Sequence, residues 1–171
     1  YKPFESGCEL EDGRLIPSDT AFICKLLDLP GKLSLYNTYS LKNPLAPGVA
    51  AEIEDVDVDF SKVEKDFKKL ASEFDFVIVE GAGGLFVPLS RFPLDKQKTN
   101  KKTPISYLDL AKEFNLPVLL VSSARLGTIN HTLLSAEACK TRGIQVLGVI
   151  MNEHCQIDSL LADTNEKVLR Y

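Results

Sequence analysis

The stretch FDFVIVEGAGG, residues 74–84, decides the fold class. Its apolar run of Val77, Ile78 and Val79 is continuous rather than alternating, which is typical of a strand buried on both faces of a parallel sheet. The run stops at a carboxylate, Glu80, and three of the next four residues are glycines. Because open α/β sheets bind ligands beyond the carboxyl ends of their strands, the sequence predicts a binding site here.

Two helices are predicted upstream of this strand. Residues 18–29, SDTAFICKLLDL, have Ser18 as a predicted N-cap and an apolar face at helical spacing. That face comprises Phe22, Ile23, Leu26 and Leu27. Residues 59–74 carry a second apolar face, which predicts a surface helix packed on an apolar partner. Its members are Phe60, Val63, Phe67 and Leu70. The proline-punctuated segment 36–52 predicts a loop with a short helix from Pro47 onward.

The same alternation continues downstream. Helices are predicted at residues 103–115, 129–143 and 155–170, and buried strands at residues 116–124 and 144–152. Gly143 is expected to close the second of these helices. The alternation predicts one domain, residues 1–171, built on a doubly wound, mainly parallel α/β sheet.

Composition narrows the possible functions. The chain has 171 residues, of which 44% are hydrophobic, and a formal net charge of -4. This charge gives no basic surface for nucleic acid, and no apolar run is long enough to cross a bilayer, so we expect a soluble, cytoplasmic protein. The four cysteines form no C-x-x-C pair, so neither a zinc site nor a redox motif is indicated. The lysine-rich segment 90–103 is either a phosphate-binding run or, as we favour, a solvated insertion.

Polar or glycine-rich segments follow every predicted strand, and each has a plain structural interpretation. Lys2 is also explained as a surface lysine, and Asp19 as a residue that complements a helix dipole. Asn130 and Asn152 are also explained as turn or cap residues, and the two histidines, His131 and His154, as structural. Only Glu80 resists such an interpretation.

Glu80 ends a predicted buried strand, where a carboxylate loses solvation and needs a cation or hydrogen-bond donors. The glycines beside it allow close approach of a ligand to backbone amides. Asp19, at a helix start on a neighbouring loop, is a candidate second carboxylate. Mg²⁺ suits this pair, because it binds through one or two carboxylates, waters and substrate phosphates.

Six blocks of sequence carry a family resemblance. They are YKPFESG, SDTAFI, NPLAPGVAA, FVIVEGAGGLFVPLS, LPVLLVSSARLGTINHTLLSAEA and GVIMNE. In order and spacing they closely resemble dethiobiotin synthetases, over nearly the whole chain apart from the lysine-rich insertion. The EGAGG motif alone is also similar to cobyrinic acid amide synthases and other relatives. The resemblance implies a P-loop NTPase-like, three-layer α/β/α fold.

The resemblance also implies a reaction and a set of roles. Dethiobiotin synthetases use ATP and Mg²⁺ to join CO₂ to 7,8-diaminononanoate in biotin biosynthesis. By resemblance, Lys2 is catalytic, Asp19 and Glu80 hold Mg²⁺, and Ser6 binds substrate. The resemblance also assigns nucleotide contacts to Gly81, Ala82, Gly83, Asn152 and Glu153. It further implies that four residues bind the substrate carboxylate across a homodimer interface. These are Gly127, Thr128, Ile129 and Asn130.

One family motif has no match in these 171 residues. The phosphate-binding loop G-x-x-x-x-x-G-K-T lies upstream of YKP in the family, and a C-terminal segment completes the adenine pocket. We therefore expect this chain to be part of a longer protein and, by itself, a poor catalyst. Two other classes stay open. These are an ATP-dependent switch protein that dimerises without making a bond, and a non-catalytic relative that has lost the loop.

Overall fold

A computed structural model of the chain describes residues 1–91, 104–152 and 159–170. The strands within them are β1 (Phe4–Ser6), β2 (Glu9–Glu11), β3 (Arg14–Ile16), β4 (Tyr39–Leu41), β5 (Val118–Ser123) and β6 (Val146–Asn152). The helices are α1 (Ser18–Leu26), α2 (Pro47–Ile53), α3 (Phe60–Glu73), α4 (Tyr107–Glu113), α5 (Thr128–Thr141) and α6 (Ser159–Arg170). The chain divides into two compact units, Tyr1–Tyr107 and Leu108–Tyr171.

Strand pairing in the first unit is partly parallel. β1 pairs with β4 in parallel, with Phe4 opposite Tyr39. β2 and β3 form an antiparallel hairpin through Asp12 and Gly13, both of which have positive φ. An Asp-Gly pair with left-handed backbone suits a tight two-residue hairpin turn.

Two small clusters of buried residues lie in the core of the first unit. Cys24 of α1, Tyr36 and Leu70 of α3 pack together. Leu41 of β4 packs against Ala50 and Ala51 of α2. The ring of Phe4 stacks on Tyr39 at a centroid distance of 5.4 Å. These contacts pack α1 against α3 and β1 against β4.

The predicted apolar face of α1 is wrong. The residues of α1 that are buried are Thr20 and Cys24, one turn apart. The residues expected inside, Phe22, Ile23, Leu26 and Leu27, are exposed. Ser18 is also not the N-cap, a position held by Pro17 without a side-chain hydrogen bond. Periodicity locates the helix, but burial depends on which side meets β1 and the Tyr36 cluster.

The decisive stretch of sequence is not a buried strand within the described residues. No strand is assigned over residues 74–80, and Phe76 and Ile78 are 80% and 69% exposed. Its backbone nevertheless bonds to the chain at Tyr1, whose nitrogen donates to the Ile78 oxygen at 2.6 Å. The Glu80 amide in turn donates to the Tyr1 oxygen at 2.8 Å. This ladder-like pairing places Glu80 beside Tyr1 and Lys2.

The second unit contains a parallel pair of longer strands. β5 pairs with β6, with Val121 opposite Ile150 and Ser123 opposite Asn152. Full burial of these strands was predicted and is wrong, because Val121 is 67% exposed and Leu147 is 60% exposed. A strand with a continuous apolar run is buried only where other elements pack on both of its faces. The described residues pack on only part of the surface of β5 and β6.

Most helices agree with the sequence pattern. In α3, Val63 and Leu70 are buried and Asp59 accepts a hydrogen bond from the Ser61 amide as N-cap. The short helix predicted from Pro47 is α2, whereas β4 was not predicted. Gly143 follows α5 with a φ of 67°, as expected for a closing residue.

No helix in the described ranges is long and apolar enough to cross a membrane. Parallel strand pairs connected through helices confirm the predicted α/β class. The single domain stays a prediction. Residues 92–103, most of the lysine-rich segment, lie outside the described residues.

Candidate active site

Three of the predicted site residues meet in the first unit. The ammonium nitrogen of Lys2 lies 2.9 Å from Oδ2 of Asp19 and 3.4 Å from Oε1 of Glu80. The Lys2 side chain is only 10% exposed, whereas the two carboxylates are 64% and 62% exposed. A mostly buried cation therefore lies below two carboxylates that face solvent.

Backbone contacts on both sides hold Lys2 in place. Its amide donates to the Tyr36 oxygen at 2.8 Å, and its carbonyl accepts from Nδ2 of Asn37, also at 2.8 Å. Asn37 is itself buried and bonds to Ser40 at 2.7 Å. The side chain of Lys2 thus starts from a backbone that is fixed before any ligand binds.

The electrostatics of Lys2 favour its charged form. Burial disfavours the ammonium ion, but the carboxylates of Asp19 and Glu80 outweigh burial, so the pKa of Lys2 is raised above its ordinary value. Lys2 is therefore a cation at neutral pH. Such a group suits the stabilisation of negative charge on a bound anion.

Asp19 is positioned by a residue that sequence reasoning missed. The buried carboxylate of Glu5 accepts hydrogen bonds from the Asp19 amide at 2.7 Å and from the Thr20 amide at 3.1 Å. Oγ1 of Thr20 also donates to it, at 2.7 Å. A glutamate in β1 gave no pattern signal, because its partners lie on α1, which follows the β2–β3 hairpin in the chain.

Packing and backbone conformation explain two of the glycines that follow Glu80. A Cβ on Gly81 would lie 3.3 Å from the ring of Tyr107, which packs directly beneath it. Gly83 has a φ of 84° and its Cβ would lie 3.0 Å from Val87. Gly84 has open space around it. The backbone of residues 81–83 is thus shaped by packing as well as by any ligand.

Tyr107 supports this loop from below. Burial raises the pKa of its hydroxyl well above the ordinary value, and the nearby Ala82 backbone opposes that rise. Within the described residues the hydroxyl makes no hydrogen bond of good geometry, although it is buried.

Ser6 and Cys8 lie at the end of β1. Ser6 is half-buried at the last position of the strand, and Gly7 follows with a φ of 78°. Burial raises the pKa of the Cys8 thiol, which donates to the backbone oxygen of Glu5 at 3.3 Å. Cys8 is therefore a packed thiol and not a reactive one.

The predicted carboxylate-binding segment lies in the second unit. Gly127, with a φ of 93°, precedes α5 and no side chain caps that helix. Thr128 is buried, Ile129 is half-buried and Asn130 is exposed. An uncapped helix start with an exposed amide side chain is compatible with an anion.

Asn152 belongs to the same unit. It is the last residue of β6 and is exposed, directly opposite Ser123 at the end of β5. The carboxyl ends of both strands therefore meet at one edge, which is where the sequence placed it. Glu153, the other predicted nucleotide contact, lies outside the described residues.

Comparisons with known proteins identify the family. Residues 1–170 match the model of an AAA domain family. The chain is 40% identical over 172 residues to the ATP-dependent dethiobiotin synthetase BioD of Thermodesulfovibrio yellowstonii, covering 99% of this chain and 69% of that protein. It is 35% identical to the protein of the same name from Halalkalibacterium halodurans, covering 99% and 65%.

The chain belongs to the dethiobiotin synthetase family. The family resemblance predicted from its motifs is therefore confirmed. The chain spans about two thirds of the length of these relatives, at 69% and 65%. The AAA-type match also confirms the predicted P-loop NTPase-like α/β class.

The exposed carboxylates beside Lys2 offer the oxygen ligands that Mg²⁺ prefers. Among the described residues, no group of three or more His, Cys, Asp or Glu side chains is arranged to hold a metal ion. Two solvent-facing carboxylates, Asp19 and Glu80, converge on one cation instead. This donor set fits Mg²⁺, which takes one or two carboxylates and completes its shell with water and phosphate oxygens.

Proposed function

We propose that the full-length protein containing this chain is an ATP- and Mg²⁺-dependent dethiobiotin synthetase. It would form the ureido ring of dethiobiotin from 7,8-diaminononanoate and CO₂, with ATP as co-substrate. The observation that carries this proposal is the buried Lys2 ammonium between Asp19 and Glu80 in a member of this family. The ATP-dependent relatives bear the same activity in their names.

The proposed reaction has three steps. One amine of 7,8-diaminononanoate adds to CO₂ and loses a proton, which gives a carbamate. A carbamate oxygen then takes the γ-phosphoryl group of ATP, and ADP leaves. The second amine attacks the carbamate carbon, and the ring closes as inorganic phosphate departs.

Lys2 has the properties that the first two steps require. Its ammonium is charged and largely shielded from water, so its attraction for the carbamate and the migrating phosphoryl group is little screened. Proteins catalyse phosphoryl transfer mainly by positioning the reacting groups and stabilising their negative charge. Lys2 would therefore act directly on the reacting groups, and Ser6 would donate a hydrogen bond to the substrate nearby.

Asp19 and Glu80 are the proposed ligands of Mg²⁺. When bound, Mg²⁺ supplies positive charge to the phosphate oxygens of ATP. The amides of Gly81, Ala82 and Gly83 would line the phosphates and substrate, on a loop that Tyr107 already holds in shape.

Binding roles are also proposed for residues of the second unit. Asn152 would bind the adenine ring, because a carboxamide both donates and accepts on a base edge. Glu153, the next residue in the chain, is proposed as a further nucleotide contact. Gly127, Thr128, Ile129 and Asn130 would bind the substrate carboxylate of the other subunit in a homodimer, through the uncapped start of α5.

Phosphate release from MgATP by the full-length protein tests this function. We expect release to require both 7,8-diaminononanoate and bicarbonate. Release without the diamine would favour a nucleotide switch, and absence of release would favour a non-catalytic relative. Circular dichroism first confirms that the protein is folded. An unfolded sample, which would also release no phosphate, is then not mistaken for a non-catalytic relative.

A further inference from the structure

A buried carboxylate outside the proposed metal pair has three hydrogen-bond donors. Glu5 lies in the middle of β1 and is 3% exposed. One of its oxygens accepts from the Asp19 amide, and the other accepts from the amide and the hydroxyl of Thr20. A buried carboxylate needs donors of this kind to stay charged.

Two of these donors, the amides of Asp19 and Thr20, belong to the first turn of α1. A helix start leaves four backbone amides without helical partners, and α1 lacks a side-chain cap because Pro17 holds the N-cap position. Glu5 satisfies two of these amides from another element. Its negative charge also lies at the positive end of the helix dipole.

Asp19, whose amide donates to Glu5, is also the residue that contacts Lys2. Asp19 is 64% exposed at its side chain, so little packing restricts its rotamers. Its backbone amide, however, is fixed by Glu5, and its Oδ2 lies 2.9 Å from the Lys2 nitrogen. Lys2 lies shortly before β1 and Glu5 lies within it. One short segment therefore carries both the cation and the carboxylate that binds the Asp19 amide.

We propose that Glu5 is a positioning residue that acts through Asp19. By holding the first turn of α1, it keeps the Asp19 carboxylate where it meets both Lys2 and Mg²⁺ bound with nucleotide. The proposal rests on the proposed function only as far as Asp19 is a Mg²⁺ ligand. It does not depend on the diamine or on ring formation.

The test uses a matched pair of substitutions at Thr20. Thr20→Val removes the hydroxyl that donates to Glu5 and keeps the shape, whereas Thr20→Ser keeps the hydroxyl. Glu5→Gln, Asp19→Asn and the double variant of both are made in the full-length protein. Two quantities are measured without diamine: hydrogen exchange of the Asp19 and Thr20 amides, and the Mg²⁺ concentration that half-saturates binding of a fluorescent ATP analogue.

We expect faster exchange at both amides in Glu5→Gln and Thr20→Val, and wild-type exchange in Thr20→Ser. The half-saturating Mg²⁺ concentration should rise about tenfold in Glu5→Gln, as for other residues that orient metal ligands. It should rise less in Thr20→Val, which loses one hydrogen bond of three. In the Asp19→Asn background, Glu5→Gln should add no further rise, because its effect passes through Asp19.

Three results would overturn the inference. Faster exchange with an unchanged Mg²⁺ requirement would leave Glu5 a structural cap only. Additive effects of Glu5→Gln and Asp19→Asn would show that Glu5 acts by another route. Nucleotide binding that ignores Mg²⁺ in the wild type would remove the metal role of Asp19. Diamine-independent phosphate release, by contrast, would reject the proposed reaction and leave this inference standing.

Discussion

The Lys2 nitrogen and Oδ2 of Asp19 lie 2.9 Å apart, with the lysine buried and the aspartate facing solvent. Oε1 of Glu80 lies 3.4 Å from the same nitrogen. Because the carboxylates are exposed, replacing either one should leave the fold intact. The consequences of substitution should therefore appear in ligand binding and rate, and not in stability.

Lys2→Ala should lower the rate of phosphoryl transfer by at least about 100-fold, as for removal of other groups that stabilise transition-state charge. The affinity for ATP should fall by much less, because this contact strengthens in the transition state. Single-turnover kinetics and equilibrium binding measure the two quantities. Lys65→Ala, on the exposed side of α3, is the control. An effect confined to ATP affinity would contradict the assignment.

Glu80→Gln should raise the Mg²⁺ concentration needed for half-maximal activity by about tenfold, equivalent to about 1.4 kcal/mol. The substitution keeps the shape of the side chain and removes the charge that faces Lys2 and the metal. Thermal unfolding should be unchanged, since the side chain is 62% exposed. Unaltered Mg²⁺ dependence would remove Glu80 from the metal site.

Gly83→Ala should destabilise the protein by about 1–2 kcal/mol, because its φ of 84° is in the left-handed region. Gly84→Ala is the matched control, since open space surrounds Gly84. Urea unfolding of both variants measures the difference. Equal stability would mean that the loop adopts another backbone conformation.

Glu54 should contribute a pH-dependent term to stability. Burial disfavours its charged form, but hydrogen bonds from Asn43 and Lys42 outweigh burial and hold the pKa of Glu54 below its ordinary value. Its stabilisation is therefore complete above the unfolded pKa of about 4.3 and is lost as pH falls through the folded value.

Urea unfolding between pH 7 and pH 3 checks this term. The stability difference between wild type and Glu54→Gln should shrink as the pH falls below about 4. Asp75→Asn, at an exposed carboxylate, serves as a comparison. A difference that stays constant over this range would contradict the role assigned to Glu54.

The homodimer proposal predicts complementation. Asn130→Ala and Lys2→Ala subunits are each expected to be inactive as homodimers, because each lacks one half of every shared site. Mixed dimers should regain part of the wild-type activity through one intact site. Verified mixed dimers without any recovery would argue that each subunit has a complete site.

Local patterns predicted the helices better than the burial of the strands. The spacing of Val63 and Leu70 sufficed for α3, because a helix face is encoded within one segment. The exposed Ile78 and Val121 show the limit of the same reasoning, since burial depends on what packs on each face. The β2–β3 hairpin was missed although Asp12-Gly13 carries its turn signal.

The central residues of the candidate site were predictable from their motifs, although the strands expected beside them were not all found. Asp19 and Glu80 were proposed from a helix start and a predicted strand end, and Lys2 from the family resemblance; the structure brings all three together. Glu5 was not predictable, because its role depends on hydrogen bonds to a helix that follows the β2–β3 hairpin. Tyr107 was missed for the same reason, since its packing under Gly81 requires the folded chain.

The most direct test of the central claim is the fate of labelled bicarbonate. The full-length protein is incubated with MgATP, 7,8-diaminononanoate and ¹³C-bicarbonate, and the products are analysed by mass spectrometry. We expect dethiobiotin with one ¹³C in its ureido carbonyl, formed in a one-to-one ratio with phosphate. ATP cleavage without any labelled ureido product would contradict the proposed function.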